Sequence, residues 1–288
     1  MIASVFRKRQ SKDYWHLHLS RDLSTLLIAL LLKWTKNTYV VQTHGMISPR
    51  SGLIYRLVDA LLVRPALSGA AKVFYLTDDE LAKLTLIFGH SGCLSRLPNG
   101  VAVTLSRGKK FEERLSVVFL GRLHKVKNPL LVCEAAAKSQ NDNIKFKVFG
   151  PDGGEKTKLL EFQSRRNLTN LAIEEPLAYG ESTNLFLESL VLLLPSSGDV
   201  FPMAVLEALA AGLPVIVSPH VGLAKKISEY GAGIVASLSA VAINDAIIEI
   251  TSNKETWKKY SEAARNLASL EYNIVNIAVQ SIPNLGNA

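Results

Sequence analysis

Apolar positions in the second half of the chain gather into short continuous runs, each bounded by Gly, Pro or Ser. These are residues 115–121 (LSVVFLG), 144–150 (IKFKVFG), 190–196 (LVLLLPS) and 214–218 (PVIVS). Between them lie segments of helical length and mixed polarity: 128–139 (NPLLVCEAAAKS), 154–166 (GEKTKLLEFQSRR), 202–212 (PMAVLEALAAG) and 223–231 (LAKKISEYG). Strands apolar throughout are buried on both faces, and alternation with helices predicts an α/β chain with a doubly wound parallel sheet. In such sheets ligands gather beyond the carboxyl ends of the strands, so the loop after each strand is where chemistry is expected.

The first part repeats the style with fewer units. Strands are expected over 37–45 (NTYVVQTHG) and 72–77 (KVFYLT), with helices around 23–33, 53–66 and 78–88. Three or four strands are countable where a doubly wound half ordinarily has about five or more, so this Rossmann-like half reads as incomplete. The polar stretch 104–114 (TLSRGKKFEER) reads as a linker. The expected organisation is a partial first domain over 1–107, a complete second domain over 108–268, and a helix and tail over 269–288.

One helix carries an anomaly. From Met203 to Ala211 every residue is apolar except Glu207. An ionised carboxylate in apolar surroundings costs several kcal/mol unless it is paired or hydrogen-bonded. Its partner is either a group of the fold or a ligand.

Two cysteines, Cys93 and Cys133, have no metal-like spacing and read as reduced thiols of a cytoplasmic protein. The apolar segment LSTLLIALLL, closed by Lys33 and Lys36, is shorter than the roughly 20 residues that a membrane span requires, and it reads as a buried helix. The net charge of +8 is uneven: residues 1–107 hold 14 Lys/Arg against 6 Asp/Glu, and the remainder 19 against 19. A basic first part attracts anions. No zinc finger, RNP aromatic motif or basic recognition helix accompanies it, which excludes nucleic acid and leaves plain solubility or an anionic membrane surface.

Three loops at expected strand ends carry candidate chemistry. In GRLHKVKN, Gly121 ends a strand, and Arg122 and Lys127 can converge on one anion across a turn. Taken alone, the loop is also compatible with a solvated basic turn. In FGPDGGEK, Gly150, Gly153 and Gly154 permit positive φ and close approach of a ligand, or simply a tight turn. The stretch PSSGDVFP leads into a helix whose first amides, on Met203, Ala204 and Val205, are free to meet an anion. Asp199 in that loop and Glu207 one turn into the helix add two carboxylates. Together the loops describe a site for a diphosphate joined to polyhydroxylated groups, which is a nucleotide sugar.

The segments FLGRLHKVKNP, VFGPDGGE and LLLPSSGDVFPMAVLEALAAGLPVIVS resemble the retaining GT-B glycosyltransferases of family 4 over essentially the whole C-terminal half. HLHLSRD, YVVQTHGMISP, AKVFYLTDDE and RLPNGV resemble the later part of that family's N-terminal domain. The resemblance implies two Rossmann-like domains, the first truncated. It implies transfer of a hexosyl group from a UDP- or GDP-sugar, with retention, to a glycan or lipid-linked acceptor in cell-envelope synthesis, at the cytoplasmic face of the inner membrane. Arg122 and Lys127 would hold the diphosphate, and Glu207 the ribose hydroxyls. Asp199 and the amides of Met203 to Val205 would address the sugar and β-phosphate, and His44 would lie near the donor sugar. No bound metal and no cofactor are implied. Two departures stand out: Asp199 replaces the glutamate of the family's paired acidic residues, and Val200 replaces the adjacent glycine. With the truncation, they keep a second expectation open, a nucleotide-sugar-binding remnant without activity.

Overall fold

The computed structural model describes residues 15–89, 92–103, 108–141 and 143–281. By internal contacts the chain divides into two compact units, Met1–Asn99 with Asn276–Ala288, and Gly100–Val275. The division falls where Val101 joins the second unit: its amide donates to the Tyr272 carbonyl at 2.8 Å, and the Ile274 amide donates to the Val101 carbonyl at 3.1 Å. Of the expected linker, 104–107 lie outside the described residues, as do the basic run at 6–12 and the tail beyond 281.

In the first unit, β1 (Trp15–His18), β2 (Tyr39–Gln42), β3 (Lys72–Tyr75) and β4 (Leu94–Arg96) form a parallel sheet in that order. Helix α1 (Leu23–Trp34) starts at Asp22, whose carboxylate accepts from the Thr25 amide at 2.8 Å, an ordinary N-cap. Leu26, Ile28, Ala29 and Leu32 bury its inner face, while Leu23, Leu27 and Trp34 stay exposed. The expected buried helix is therefore buried on one side, and among the described residues no helix is long and apolar enough to cross a membrane.

The helix expected over 53–66 is three pieces: α2 (Leu53–Val58), a π-helical turn (Asp59–Val63) and α3 (Arg64–Ser68). Pro65 explains the break. A proline inside a helix lacks the N–H and crowds the carbonyl four residues back, here that of Leu61. The chain widens instead, and the Arg64 amide reaches Asp59 O, five residues back. Helix α4 (Asp78–Phe88) follows β3, capped by Thr77 and ended by Gly89 at φ 74°. Tyr39, Val41 and Val73 of the sheet pack with Leu26, Leu32, Leu67 and Leu84 of the helices in one core.

The second unit contains β5 (Ser116–Leu120), β6 (Lys145–Phe149), β7 (Leu171–Glu174), β8 (Val191–Leu194), β9 (Val215–Val217) and β10 (Gly233–Val235). All are parallel, in the order β10-β9-β8-β5-β6-β7. Helix α5 (Pro129–Lys138) packs against α6 (Lys156–Arg165) and α10 (Ala240–Thr251), and α11 (Lys254–Glu271) packs against α8 (Met203–Ala210) and α9 (Ala224–Tyr230). Between β7 and β8 runs α7 (Ser182–Glu188), and α12 (Ile274–Ser281) closes the described chain. Counted within the unit, the strand order is 3-2-1-4-5-6, the doubly wound arrangement whose order reverses between β5 and β8. The loops after those two strands flank the crevice where such sheets take ligands. The four strand runs and four helices expected from the second-half pattern are all present. The structure adds β7, β10, α7, α10 and α11.

Candidate functional site

The loops that leave β5, β6 and β8 are tied into one surface by backbone hydrogen bonds. After β5, the Gly121 amide donates to Phe149 O at 3.0 Å, and Leu123 both donates to Pro151 O at 2.9 Å and accepts from Gly153 at 3.0 Å. Gly150 makes this approach possible. Its φ is +154°, and a Cβ there would stand 1.9 Å from the Gly121 carbonyl oxygen. Gly153 is close-packed too, because a Cβ would meet the Arg122 Cγ and the His124 Cβ at 2.9 Å. The glycines of this turn therefore let two loops touch, which places the stem of Arg122 along the second.

The loop after β8 joins the same surface through Val126. Its carbonyl accepts from the Ser197 amide at 2.7 Å, from Ser196 Oγ at 3.0 Å and from Ser197 Oγ at 3.1 Å, and Asn128 Nδ2 donates to Pro195 O at 3.0 Å. Ser218, after β9, donates its hydroxyl to Ser196 O. Asn128 itself stands in the left-handed region at φ 50°, turning the chain from the basic loop into α5.

The candidate charges are unevenly partnered. Lys127 and Asp199, 72 positions apart, form an ion pair at this junction, both largely buried. Arg122 is exposed and its guanidinium has no hydrogen bond or ion pair with another described residue. Glu207 is half-buried, and its carboxylate is likewise without a partner among the described residues. So the lone acid of α8 is not matched by a neighbouring lysine or backbone amide. Helix α8 begins at Pro202, with no side-chain cap. The expected trio of free amides is reduced to two: Val205 N donates to Pro202 O at 3.2 Å, and Leu206 N shares that oxygen at 3.3 Å, a bifurcated first turn. Among the described residues the Met203 and Ala204 amides, at the positive end of the helix, have no hydrogen-bond acceptor.

The second unit thus brings together Gly121, Arg122, Lys127, Gly150, Asp199, Met203 and Ala204 at the carboxyl ends of its strands, with Glu207 one turn into α8. Arginine, lysine and helix-start amides are groups that pair with anions, and a carboxylate accepts hydrogen bonds from hydroxyls. The Lys127–Asp199 pair was not foreseen, because nothing local links two residues 72 apart.

His44 belongs to the first unit, in the turn after β2. It adopts φ 48°, with Gly45 at φ 73°. Its Nε2 lies 2.6 Å from His18 Nδ1, and the rings stack at 4.9 Å; His16 stacks on His18 at 5.0 Å. The turn is fixed from below by Glu80, a fully buried carboxylate that accepts from Thr43 Oγ1 and the Gly45 amide, both at 2.5 Å, and from the Leu76 amide at 2.7 Å. Burial and then the neighbouring His18 hold His44 below the usual histidine value, while Glu80 pulls it the other way; His16 is lowered first by burial and then by His18. Neither His18 nor Glu80 was singled out from sequence. Both left a signal: HLH places two histidines on one face of a strand, and TDDE is a capping-box pattern with an acid at its fourth position.

The family model for glycosyl transferases group 1 matches residues 105–267, more than half of the chain. The UDP-Gal:alpha-D-GlcNAc-diphosphoundecaprenol alpha-1,3-galactosyltransferase of Escherichia coli is 30% identical over 201 residues, 63% of this chain and 51% of that protein. The D-inositol 3-phosphate glycosyltransferase of Thermobifida fusca is 26% identical over 180 residues, 55% and 42% of the two chains. The chain spans about half the length of these curated relatives. The crystal structure of Anabaena HepE in complex with UDP matches with a TM-score of 0.86 at 15% identity, over 100% of this chain and 82% of that one. The fold is the GT-B arrangement of two Rossmann-like domains, and the chain belongs to the glycosyl transferases group 1 family.

Proposed function

We propose that the protein is a retaining glycosyltransferase of family 4 that moves a hexosyl group from a nucleotide-diphosphate sugar to a glycan or lipid-linked acceptor in cell-envelope synthesis. The observation that carries this reading is the set of unpartnered groups at the β5/β8 crevice: the Arg122 guanidinium, the Met203 and Ala204 amides, and the Glu207 carboxylate. A uridine diphosphate donor agrees with the E. coli relative, whose name specifies UDP-Gal, and with the UDP held by Anabaena HepE.

In this reading Arg122 and Lys127 face the two phosphates, and the α8 amides meet the β-phosphate. The ribose hydroxyls donate to Glu207. The bond between the sugar's anomeric carbon and the β-phosphate oxygen breaks as the acceptor oxygen bonds that carbon from the same face. The leaving phosphate takes the acceptor's proton, so the products are the glycoside and the nucleoside diphosphate. Fixed cations at the oxygen where charge develops lower the barrier, and removing one such donor commonly costs about 100-fold or more in rate. They supply the charge stabilisation, so no metal enters the scheme.

A second reading is favoured by one observation. The Lys127–Asp199 pair occupies a cation that the diphosphate needs, at the position where the family has a longer acid, which suits a nucleotide-sugar-binding remnant. Calorimetric titration of UDP-glucose, UDP-galactose and GDP-mannose into the full chain, with Arg122→Ala and Glu207→Ala as controls, separates the two. Micromolar binding lost in both variants, with slow sugar release whose product anomer matches the donor, supports the enzyme. Binding without any turnover supports the remnant, and no binding to any donor overturns both.

A further inference from the structure

Two histidines meet at the carboxyl ends of adjacent strands. His18 ends β1 in register with Gln42, which ends β2, and His44 lies just beyond Gln42. His18 Nδ1 and His44 Nε2 stand 2.6 Å apart, a hydrogen-bond distance. Such a contact holds a single proton. Two bare nitrogens would set lone pair against lone pair, and two N–H groups would clash. One imidazole therefore donates and the other accepts.

The contact is kept at a cost to the backbone. His44 stands at φ 48°, the left-handed region that a residue with a Cβ avoids. Glu80 holds the turn there by accepting from the Thr43 hydroxyl and the Gly45 amide. Strained residues fixed by their surroundings in this way cluster at functional sites. The outer nitrogens, His44 Nδ1 and His18 Nε2, have no hydrogen-bond partner among the described residues.

The bridge couples those outer nitrogens, because a neutral imidazole carries one N–H. When His44 supplies the bridging proton, its Nδ1 is bare and accepts. When His18 supplies it, His44 Nδ1 carries a proton and donates. One further proton leaves both outer nitrogens protonated and gives the pair a single positive charge; another would break the bridge. Glu80 favours charge on His44, and His16, stacked on His18 at 5.0 Å, opposes a second charge.

We infer that His18 is a positioning residue for His44: through the shared proton it fixes the ring and sets whether Nδ1 donates to, or accepts from, a hydroxyl of the bound sugar. The inference rests on the nucleotide-sugar reading above and on His44 addressing the donor sugar, as the family resemblance implies. A plain packing role makes the opposite prediction. Phenylalanine, which keeps the stacked ring, would then replace His18 better than asparagine, which loses the ring but keeps a hydrogen-bonding atom near the place of Nδ1.

The test is calorimetric titration of UDP, UDP-glucose and UDP-galactose into the full chain, as wild type, His18→Phe and His18→Asn, across the pH range in which imidazole titrates. His18 is exposed, so both variants are expected to fold. UDP, which lacks the hexose, is expected to bind all three alike. The tighter UDP-sugar is expected to bind His18→Phe about fivefold more weakly than wild type, as loss of one hydrogen bond implies, and His18→Asn nearly as well as wild type. Its preference over UDP is expected to vary with pH, at a midpoint that His18→Phe displaces. Nitrogen NMR of the labelled histidines, without ligand, is expected to show His18 and His44 moving in one shared step with pH. A wild type that binds no UDP would overturn the nucleotide reading and this inference with it. Retained UDP binding with His18→Phe equal to wild type for the UDP-sugar, or rings of His18 and His44 that titrate independently, would overturn this inference alone.

Discussion

Replacing Asp199 with asparagine removes the carboxylate that now neutralises Lys127, while keeping the side chain's size and leaving the loop's backbone bonds to His220 and Gly222 in place. If Lys127 faces the diphosphate, the wild-type carboxylate opposes every nucleotide that enters. Two unit charges about 6 Å apart repel by about 3 kcal/mol at an effective dielectric near 20, and water at an open crevice halves that or more. The expected gain for UDP is therefore about 1.4 kcal/mol, roughly tenfold tighter binding at low salt. Isothermal titration of UDP into both proteins at pH 7.5 reads it directly. The gain is expected to shrink at about 0.5 M salt, where the Debye length falls to a few ångströms. It is also expected to be smaller for UDP-sugars, whose hexose loses whatever Asp199 gave it. If Asp199→Asn binds UDP no better than wild type, or worse, the carboxylate is not a competitor and the placing of Lys127 at the phosphates fails with it.

Gly150→Ala forces a Cβ to within 1.9 Å of the Gly121 carbonyl at φ +154°, so the β5 and β6 loops must part; urea unfolding is expected to show a loss of about 3 kcal/mol or more, and an unchanged midpoint would contradict the packing. Glu80→Gln presents an amide N–H₂ where three donors converge, at an expected cost of about 1 to 3 kcal/mol, with faster amide exchange at Gly45 and Leu76 as the local readout. Acid is expected to weaken the first unit. His16 and His44 are held below the ordinary histidine value, so the unfolded chain binds more protons once the pH drops toward 6.5, and stability present above that value is lost on further acidification. Melting followed between pH 7.5 and 5 is expected to show this fall, and to show less of it in a His16→Gln, His44→Asn variant. An identical pH slope in the two proteins would refute the assignment.

The parts of this fold that sequence pattern makes legible are those whose burial is two-sided. VLLL and VIV are buried throughout and stand as β8 and β9, as their continuous apolar runs predict. LAIE and GIV escape notice because β7 and β10 are the edge strands of the sheet, only partly buried, so their apolar runs are diluted by polar and small residues. The helix around Leu53 to Ala66 is legible as a helix, but its division into three pieces is not; that follows from Pro65 and the widened turn before it.

The site divides in the same way. Arg122, the glycine turn and the α8 start are visible because each follows a recognisable strand, and Glu207 because it interrupts an apolar run. The Lys127–Asp199 pair, the anchoring of the β8 loop on the Val126 carbonyl and the use of the Val205 amide by Pro202 depend on how loops meet in space. No local pattern encodes them. His18 and Glu80 fall between: their motifs are readable, and only the packing shows that they hold His44.

The central claim is that the crevice between β5 and β8 receives a nucleoside diphosphate. Amide hydrogen exchange of the full chain with and without saturating UDP tests it most directly. The account predicts slowed exchange confined to residues 121–128, 150–155 and 196–205, with the Met203 and Ala204 amides among the most protected, and loss of that protection in Arg122→Ala. Protection that falls elsewhere in the chain, or that survives unchanged in Arg122→Ala, would contradict it.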